Sequence, residues 1–241
     1  RPGYAPPAAQ MAEVRGCTFE FPHVAPGEYV LQAIQYWADL PGVTAPNEFS
    51  AQPITIGEMD VSGVRVHTTA GTTVTGRVVM ENGGRPPSGG NWLTVRVADP
   101  DYEPASVLPR PWTTVVNPDL SFRISGLIGP LRLSSTPALA PAVWLKTATM
   151  GGVNIAEEPA LFGRRDDTNT FVDVVLADDG AEVSGRVVNG RKEPVDQYVV
   201  AAFPVATEHR YSGSRYIRIV RPVQRGAFRT GMLPPGDYWL V

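Results

Sequence analysis

TVTGRVV at residues 73–79 returns 109 residues later as EVSGRVV at residues 182–188, which sets Gly76 and Gly185 at equivalent positions. A second element occurs three times, as TFEFPHVAPGEYVL at 18–31, SFRISGLIGPLRL at 121–133 and AFRTGMLPPGDYWL at 227–240. Self-similarity at a fixed period signals tandem units of one supersecondary design. Within the repeated pieces apolar and polar residues alternate, as in strands with one buried face. The pattern predicts an all-β chain of tandem, small, Greek-key-like β-sandwich domains, one complete and two partial.

The complete unit is expected over residues 71–179. Val74 to Val79, Leu93-Thr-Val-Arg-Val, Phe122-Arg-Ile, Leu131-Arg-Leu, Val143 to Met150 and Phe171 to Leu176 read as strands. ENGGRPPSGG reads as a loop, and LIGP as the turn of a hairpin. Six or seven strands suffice for two packed sheets. Residues 1–70 read as the later part of such a unit, with strands at Phe19-Glu-Phe, Tyr29 to Trp37, Ile54-Thr-Ile and Val61 to His67. Residues 180–241 read as the opening part of a third, with strands at Val183 to Val188, Tyr198 to Phe203, Ile217 to Val220 and the closing GDYWLV. Because the preceding units run on past that point, the chain is expected to be a piece of a longer polypeptide.

Composition excludes several classes. Apolar residues make up 43% of 241, too many for a disordered chain, and 24 glycines with 24 prolines mark a turn-rich one. A net charge of -3 offers no overall footprint for nucleic acid, although the last third is locally basic. Cys17 stands alone and cannot form an intrachain disulfide. It is expected as a buried or half-buried structural thiol, with an exposed unpaired thiol as the alternative. No run of 18 apolar residues is present to serve as a transmembrane helix.

The recurrent residues have structural uses. Pro26-Gly27 and Pro235-Gly236 precede Glu28-Tyr29 and Asp237-Tyr238. Proline presets the first turn angle and glycine permits positive φ at the second, so each pair is expected to hold a tight turn. In the middle unit Ile128 to Pro130 takes that place, with Pro130 as the turn residue. Tyr29 and Tyr238 are expected to bury their rings and find a hydroxyl partner at the sandwich edge. Gly76 and Gly185 are expected to mark a bulge or a close backbone approach.

The order VxGRVV, polar loop, then FRxxGLxP or FxxxxLPPGDYxL resembles the carboxypeptidase regulatory-like family, whose domains are similar to transthyretin-type β-sandwiches. The similarity extends over portions of three domains and is clearest at residues 182–241. It implies secreted or envelope-associated β modules, often appended to other proteins. It does not imply peptidase activity.

Chemistry-bearing patterns are scarce. His23, His67 and His209 are far apart in sequence and lack HExxH spacing, so no metal site is expected. Asp166-Asp167-Thr168-Asn169 and Asp178-Asp179 are acidic turns without EF-hand spacing. Asp99, Asp101 and Glu103 form another acidic loop whose proximity does not supply the opposed carboxylates of a glycosidase. Neither GxSxG nor GxxxxGK[ST] occurs. No catalytic residue and no cofactor is expected.

The candidate interaction surface is the basic, aromatic segment carrying Arg210, Tyr211, Arg215, Tyr216, Arg218, Arg221 and Arg225, with Arg229 beyond it. Such groups either solvate a strand's outer face or meet a protein or glycan partner. Tyr36, Trp37, Trp92, Trp112 and Trp144 form a second aromatic set, suited to core or interdomain packing, modular association or a sugar platform. The expected role is a non-catalytic structural or adhesive array at the cell envelope or outside the cell, assembling with protein and self-associating into a repetitive structure. The alternative is a carbohydrate-binding or accessory module. Nucleic acid is not an expected partner.

Overall fold

The computed structural model describes residues 10–34, 48–98, 113–136, 139, 143–163, 169–195, 197–211, 213–221 and 224–241. The chain is all-β, with 3-10 turns only at Thr207–His209 and Gln224–Gly226 among the described residues. Residues 72–177 supply two sheets. One has five strands in the order β6(Ser121–Leu127), β3(Thr72–Met80), β11(Asn169–Ala177), β8(Trp144–Met150), β9(Val153–Asn154). The other has four, in the order β10(Ala160–Phe162), β7(Gly129–Ser135), β4(Leu93–Val97), β5(Thr113–Thr114). Their facing side chains form one core: Val74, Val78, Phe122, Ile124, Val172 and Val174 from the first, and Leu93, Val95, Leu131, Leu133 and Phe162 from the second.

β3 and β11 run parallel in the middle of their sheet, with Gly76 beside Val172 and Val78 beside Val174. The chain therefore enters at one end of the sandwich and leaves at the other. Gly76 is required there: a Cβ at this position would stand 2.1 Å from the Val172 carbonyl oxygen and 2.6 Å from the Phe122 ring. The expected close approach is what the structure shows.

The expected hairpin at LIGP is corrected. β6 and β7 belong to different sheets, so the chain turns a corner between layers at Ile128 and does not fold back on itself. Gly126, at φ +77°, shifts the register, so that Leu127 reaches the core although Phe122 and Ile124 set the opposite parity. Pro130 is the second residue of β7, not a turn residue; it stands opposite Leu161 on β10, and its carbonyl accepts from Ala98 N at 2.9 Å.

The final segment rebuilds half of this plan. β12(Ala181–Arg186) pairs with β15(Ala227–Leu233) as β3 pairs with β6, and Gly185 faces Phe228 as Gly76 faces Phe122. The sheet β14(Arg218–Val220), β13(Val200–Pro204), β16(Tyr238–Leu240) repeats the order β5, β4, β7. Val200 and Ala202 on β13 and Leu233 on β15 are buried apolar residues of the segment. Val188 and Tyr198, expected in strands, lie just beyond β12 and β13.

In the first segment β1(Gly27–Ile34) and β2(Phe49–Ile56) pair antiparallel, as β7 and β10 do. Tyr36 and Trp37 lie outside the described residues. Two expected strands are absent: Phe19 to Phe21 and Val61 to His67 belong to no sheet. Their counterparts, β6 and β11, flank β3. No counterpart of β3 is found among the described residues of the first segment. Without it, both stretches lack the backbone partner that would make them strands.

The Pro-Gly pairs act through packing. Gly27 is the first residue of β1 and has no positive φ, while Gly236 stands at φ +154°. Each lies under the ring two residues on, with Tyr29 Cε2 3.3 Å and Tyr238 Cε2 3.7 Å from where a Cβ would stand. The two hydroxyls donate to carbonyls four residues back, Tyr29 to Ala25 and Tyr238 to Pro234, each at 2.8 Å. Ring and hydroxyl together fix how the chain enters the strand.

Replacing Gly76 by alanine forces β3 away from β11 and is expected to destabilise the sandwich by about 3 kcal/mol. Gly185→Ala meets only the Phe228 ring at 2.8 Å, which can shift, and should cost less. Urea unfolding of the two variants beside the parent chain measures the difference.

Candidate functional site: an arginine–tyrosine joint

The basic, aromatic segment splits into three groups. Tyr211, Arg215 and Tyr216 turn toward the sandwich of residues 72–177. The Arg215 guanidinium bonds the Glu157 carboxylate through Nη2, and its side chain is only 8% exposed against 34% for Glu157. The Tyr216 hydroxyl donates to the same Glu157 oxygen at 3.1 Å. Tyr211 Oη donates to the Ala156 carbonyl at 3.1 Å, and the Arg132 guanidinium covers the Tyr211 ring at 4.3 Å. Arg132 Nε in turn donates to the Glu157 carbonyl at 2.8 Å. Arg215 lies 5.6 Å from the Trp144 ring and 5.0 Å from that of Tyr216.

Arg210 and Arg218 stay within the last segment. Arg210 donates from Nε to the Pro204 carbonyl and from Nη2 to that of Val205, both at 2.8 Å, and stands over Phe203 at 5.3 Å. Arg218 donates to the Ile217 carbonyl at 3.2 Å, and burial holds its pKa below the usual arginine value. Arg221 and Arg225 are exposed. His209 stacks on Tyr216 with centroids 4.1 Å apart. Among the described residues no group of three histidine, cysteine or acidic side chains is placed to hold a metal ion.

Trp144 identifies the function of this surface within the fold. It is 5% exposed, yet it lies outside the sandwich's core cluster. Arg215 of the last segment covers it, and its indole N–H donates to Asp179 Oδ1 at 3.0 Å. Asp178 accepts from Asn82 Nδ2 at 2.8 Å. The acidic turn is therefore a set of acceptors that ties the link between β11 and β12 to the middle sandwich. On the other side Gly180 is pressed against β15, with Met232 Sδ 2.5 Å and the Leu233 carbonyl oxygen 2.6 Å from a Cβ position. Asp166, Asp167, Thr168, Asp99, Asp101, Glu103 and Trp112 lie outside the described residues.

The crevice left between Arg96, Arg132, Ser134, Tyr211 and Arg215 encloses about 10 Å³, the space of one water molecule. Arg215 Nε is buried there without a protein partner. Trp92 is 1% exposed in the core, so neither it nor Trp144 presents a face to a sugar. Cys17, expected as buried or half-buried, is exposed at φ +64°, because Phe19 to Phe21 beside it forms no strand. His23 and His67 are exposed.

The sequence marks the arginines, the tyrosines and the Asp178-Asp179 turn, but not Glu157 or Arg132, which meet Arg215, Tyr216 and Tyr211. Nothing in the local pattern of those two residues distinguishes them from ordinary surface charges.

No protein-family model matches the chain, and no curated protein does. Three solved structures share features with it. A streptococcal ancillary pilin is 16% identical, with 90% of this chain and 66% of the pilin covered, at a TM-score of 0.32. A DUF3823 family protein from Parabacteroides merdae is 15% identical over 66% of this chain and 78% of its own, at 0.26. The Bacillus anthracis TIE protein is 8% identical over 89% of this chain and 37% of its own, at 0.26. The chain thus spans just under two thirds of the pilin. Scores of this size bear on neither fold nor function.

Two predictions concern the joint. Removing one member of a largely buried ion pair strands the other, so Arg215→Ala should cost on the order of 2–4 kcal/mol, the partial exposure of Glu157 favouring the lower end. Differential scanning calorimetry checks it. Burial, and secondarily Tyr216, push Tyr238 up to about 12, and burial raises Tyr216 as well. A free tyrosine titrates near 10. The folded state thus keeps protons that the unfolded chain releases, so stability is full below about pH 10 and falls between pH 10 and 12. Fluorescence-monitored urea unfolding across that range should show the loss, with a shallower slope in Tyr238→Phe.

Proposed function

We propose that this chain is a non-catalytic structural protein, a tandem array of small β-sandwich domains whose neighbours are held in fixed orientation to mediate protein assembly at the cell envelope or outside the cell. The domains run over residues 1–70, 71–179 and 180–241, the first and last being parts of a unit. The resemblance to carboxypeptidase regulatory-like modules belongs with this reading.

The supporting observation is the joint. Asp178 and Asp179 of the connection are exposed, yet they accept bonds from Asn82 and Trp144, and Gly180 admits no side chain. Arg215, Tyr211 and Tyr216 spend their polar groups on the adjoining sandwich. Binding energy directed inward serves geometry, as expected of a spacer that transmits position along an array. Arg221 and Arg225 remain available to a protein partner. No helix among the described residues is long and apolar enough to cross a membrane.

Small-angle X-ray scattering of the 241-residue chain tests the reading. A single arrangement of residues 71–179 and 180–241 should fit the profile, and Arg215→Ala should broaden it into an ensemble. A parent profile that already needs freely hinged units would overturn the proposal.

A further inference from the structure

We propose that the crevice between the middle sandwich and the last segment binds a doubly charged tetrahedral oxyanion, sulfate or hydrogen phosphate, which bridges the two through Arg96, Arg132 and Arg215. The inference rests on the rigid joint proposed above and assigns it a ligand.

Charge is the first ground. Arg96 and Arg132 stand directly opposite each other on β4 and β7. Like charges so placed repel. Arg215 brings a third guanidinium to the same crevice, and among the described residues no acidic side chain lines it. The carboxylate nearest at hand, that of Glu157, is taken by Arg215 Nη2 and by the Tyr216 hydroxyl. Three guanidinium groups against that one carboxylate leave an excess of two positive charges.

Unused donors are the second. Arg215 Nε is buried without a protein partner, on a side chain only 8% exposed. A buried N–H in that state costs the desolvation of the donor unless a water or an ion accepts from it. Arg132 spends its Nε on the Glu157 carbonyl, and Arg96 has no hydrogen bond or ion pair among the described residues. The backbone makes room for this group. At Gly213, φ +74°, a Cβ would stand 2.7 Å from Arg96 Cδ.

Space decides how the ion sits. About 10 Å³ is enclosed, enough for one oxygen-sized atom. A water molecule would satisfy Arg215 Nε and leave the charge unanswered. An oxyanion sets one oxygen there and offers the others to Arg96, the exposed member of the three.

Proton–nitrogen correlation NMR tests the site, with sodium chloride exchanged stepwise for sodium sulfate at constant ionic strength. The Arg215 Nε–H and Gly213 amide signals of the parent chain should shift and saturate, and sodium phosphate should act in the same way. Arg96→Gln removes none of the joint's hydrogen bonds and should weaken sulfate binding by about ten-fold, the worth of one charge-assisted hydrogen bond. Ser134→Asp adds a carboxylate to the lining; it should abolish the sulfate response and raise the melting temperature in sulfate-free buffer. It also decides the matter if Arg96→Gln does not fold. Shifts that never saturate, or that are the same in both variants as in the parent, overturn the proposal and leave a water molecule at Arg215 Nε. X-ray scattering from the sulfate-free chain reads the joint separately. A single arrangement without a saturable response overturns the anion alone, and freely hinged units overturn both readings.

Discussion

The approach of β3 to β11 is the constraint on which the rest depends. Two parallel backbones meet at Gly76, where a single methyl group would stand 2.1 Å from a carbonyl oxygen. That contact joins the first and last strands of the sandwich, completes its five-stranded sheet and buries Val74, Val78, Val172 and Val174 at the core. It also sets the path of the chain, in at one end and out at the other, which is what lets units follow one another in series.

From the exit of β11 the same logic carries into the joint. Three residues separate β11 from β12, and they are held by Asn82, Trp144 and the end of β15. Trp144 lies outside the sandwich's core cluster and has an arginine from the next segment beside its ring. The ion pair of Arg215 with Glu157 gains from its low exposure only because Tyr216 and the two aromatic faces share the guanidinium's environment. A joint of this kind fixes residues 180–241 against the sandwich of residues 72–177, and a fixed orientation is what the proposed structural role needs.

β3 and β12 show how far one motif goes. The shared V-x-G-R lies in a strand in both places, so local pattern and backbone preference suffice for that. Whether the strand is buried depends on β11, which stands at its side in one case and not in the other. Phe19 to Phe21 and Val61 to His67 carry the same signals as β6 and β11 and form no strand at all, because pairing is a property of two segments. The LIGP corner shows the same limit: glycine and proline announce a turn, but whether it joins strands of one sheet or of two is decided by the layers it connects.

The sequence by itself determined the all-β class, the repeat and most strand positions, since alternation and period are local and additive signals; at Gly76 it left a bulge or a close approach, and the structure shows the close approach. It also singled out Arg210, Tyr211, Arg215, Tyr216, Arg218, Arg221 and Arg225 as a group. Only the tertiary structure decided that Tyr211, Arg215 and Tyr216 face inward to Glu157, Ala156 and Trp144, that Arg210 and Arg218 serve their own segment, and that Arg221 and Arg225 face water. The physical reason is that a polar side chain's role is set by the partner it meets, and the partners of Tyr211, Arg215 and Tyr216 lie some 55 residues or more away in the chain and adjacent only once the sheets have packed.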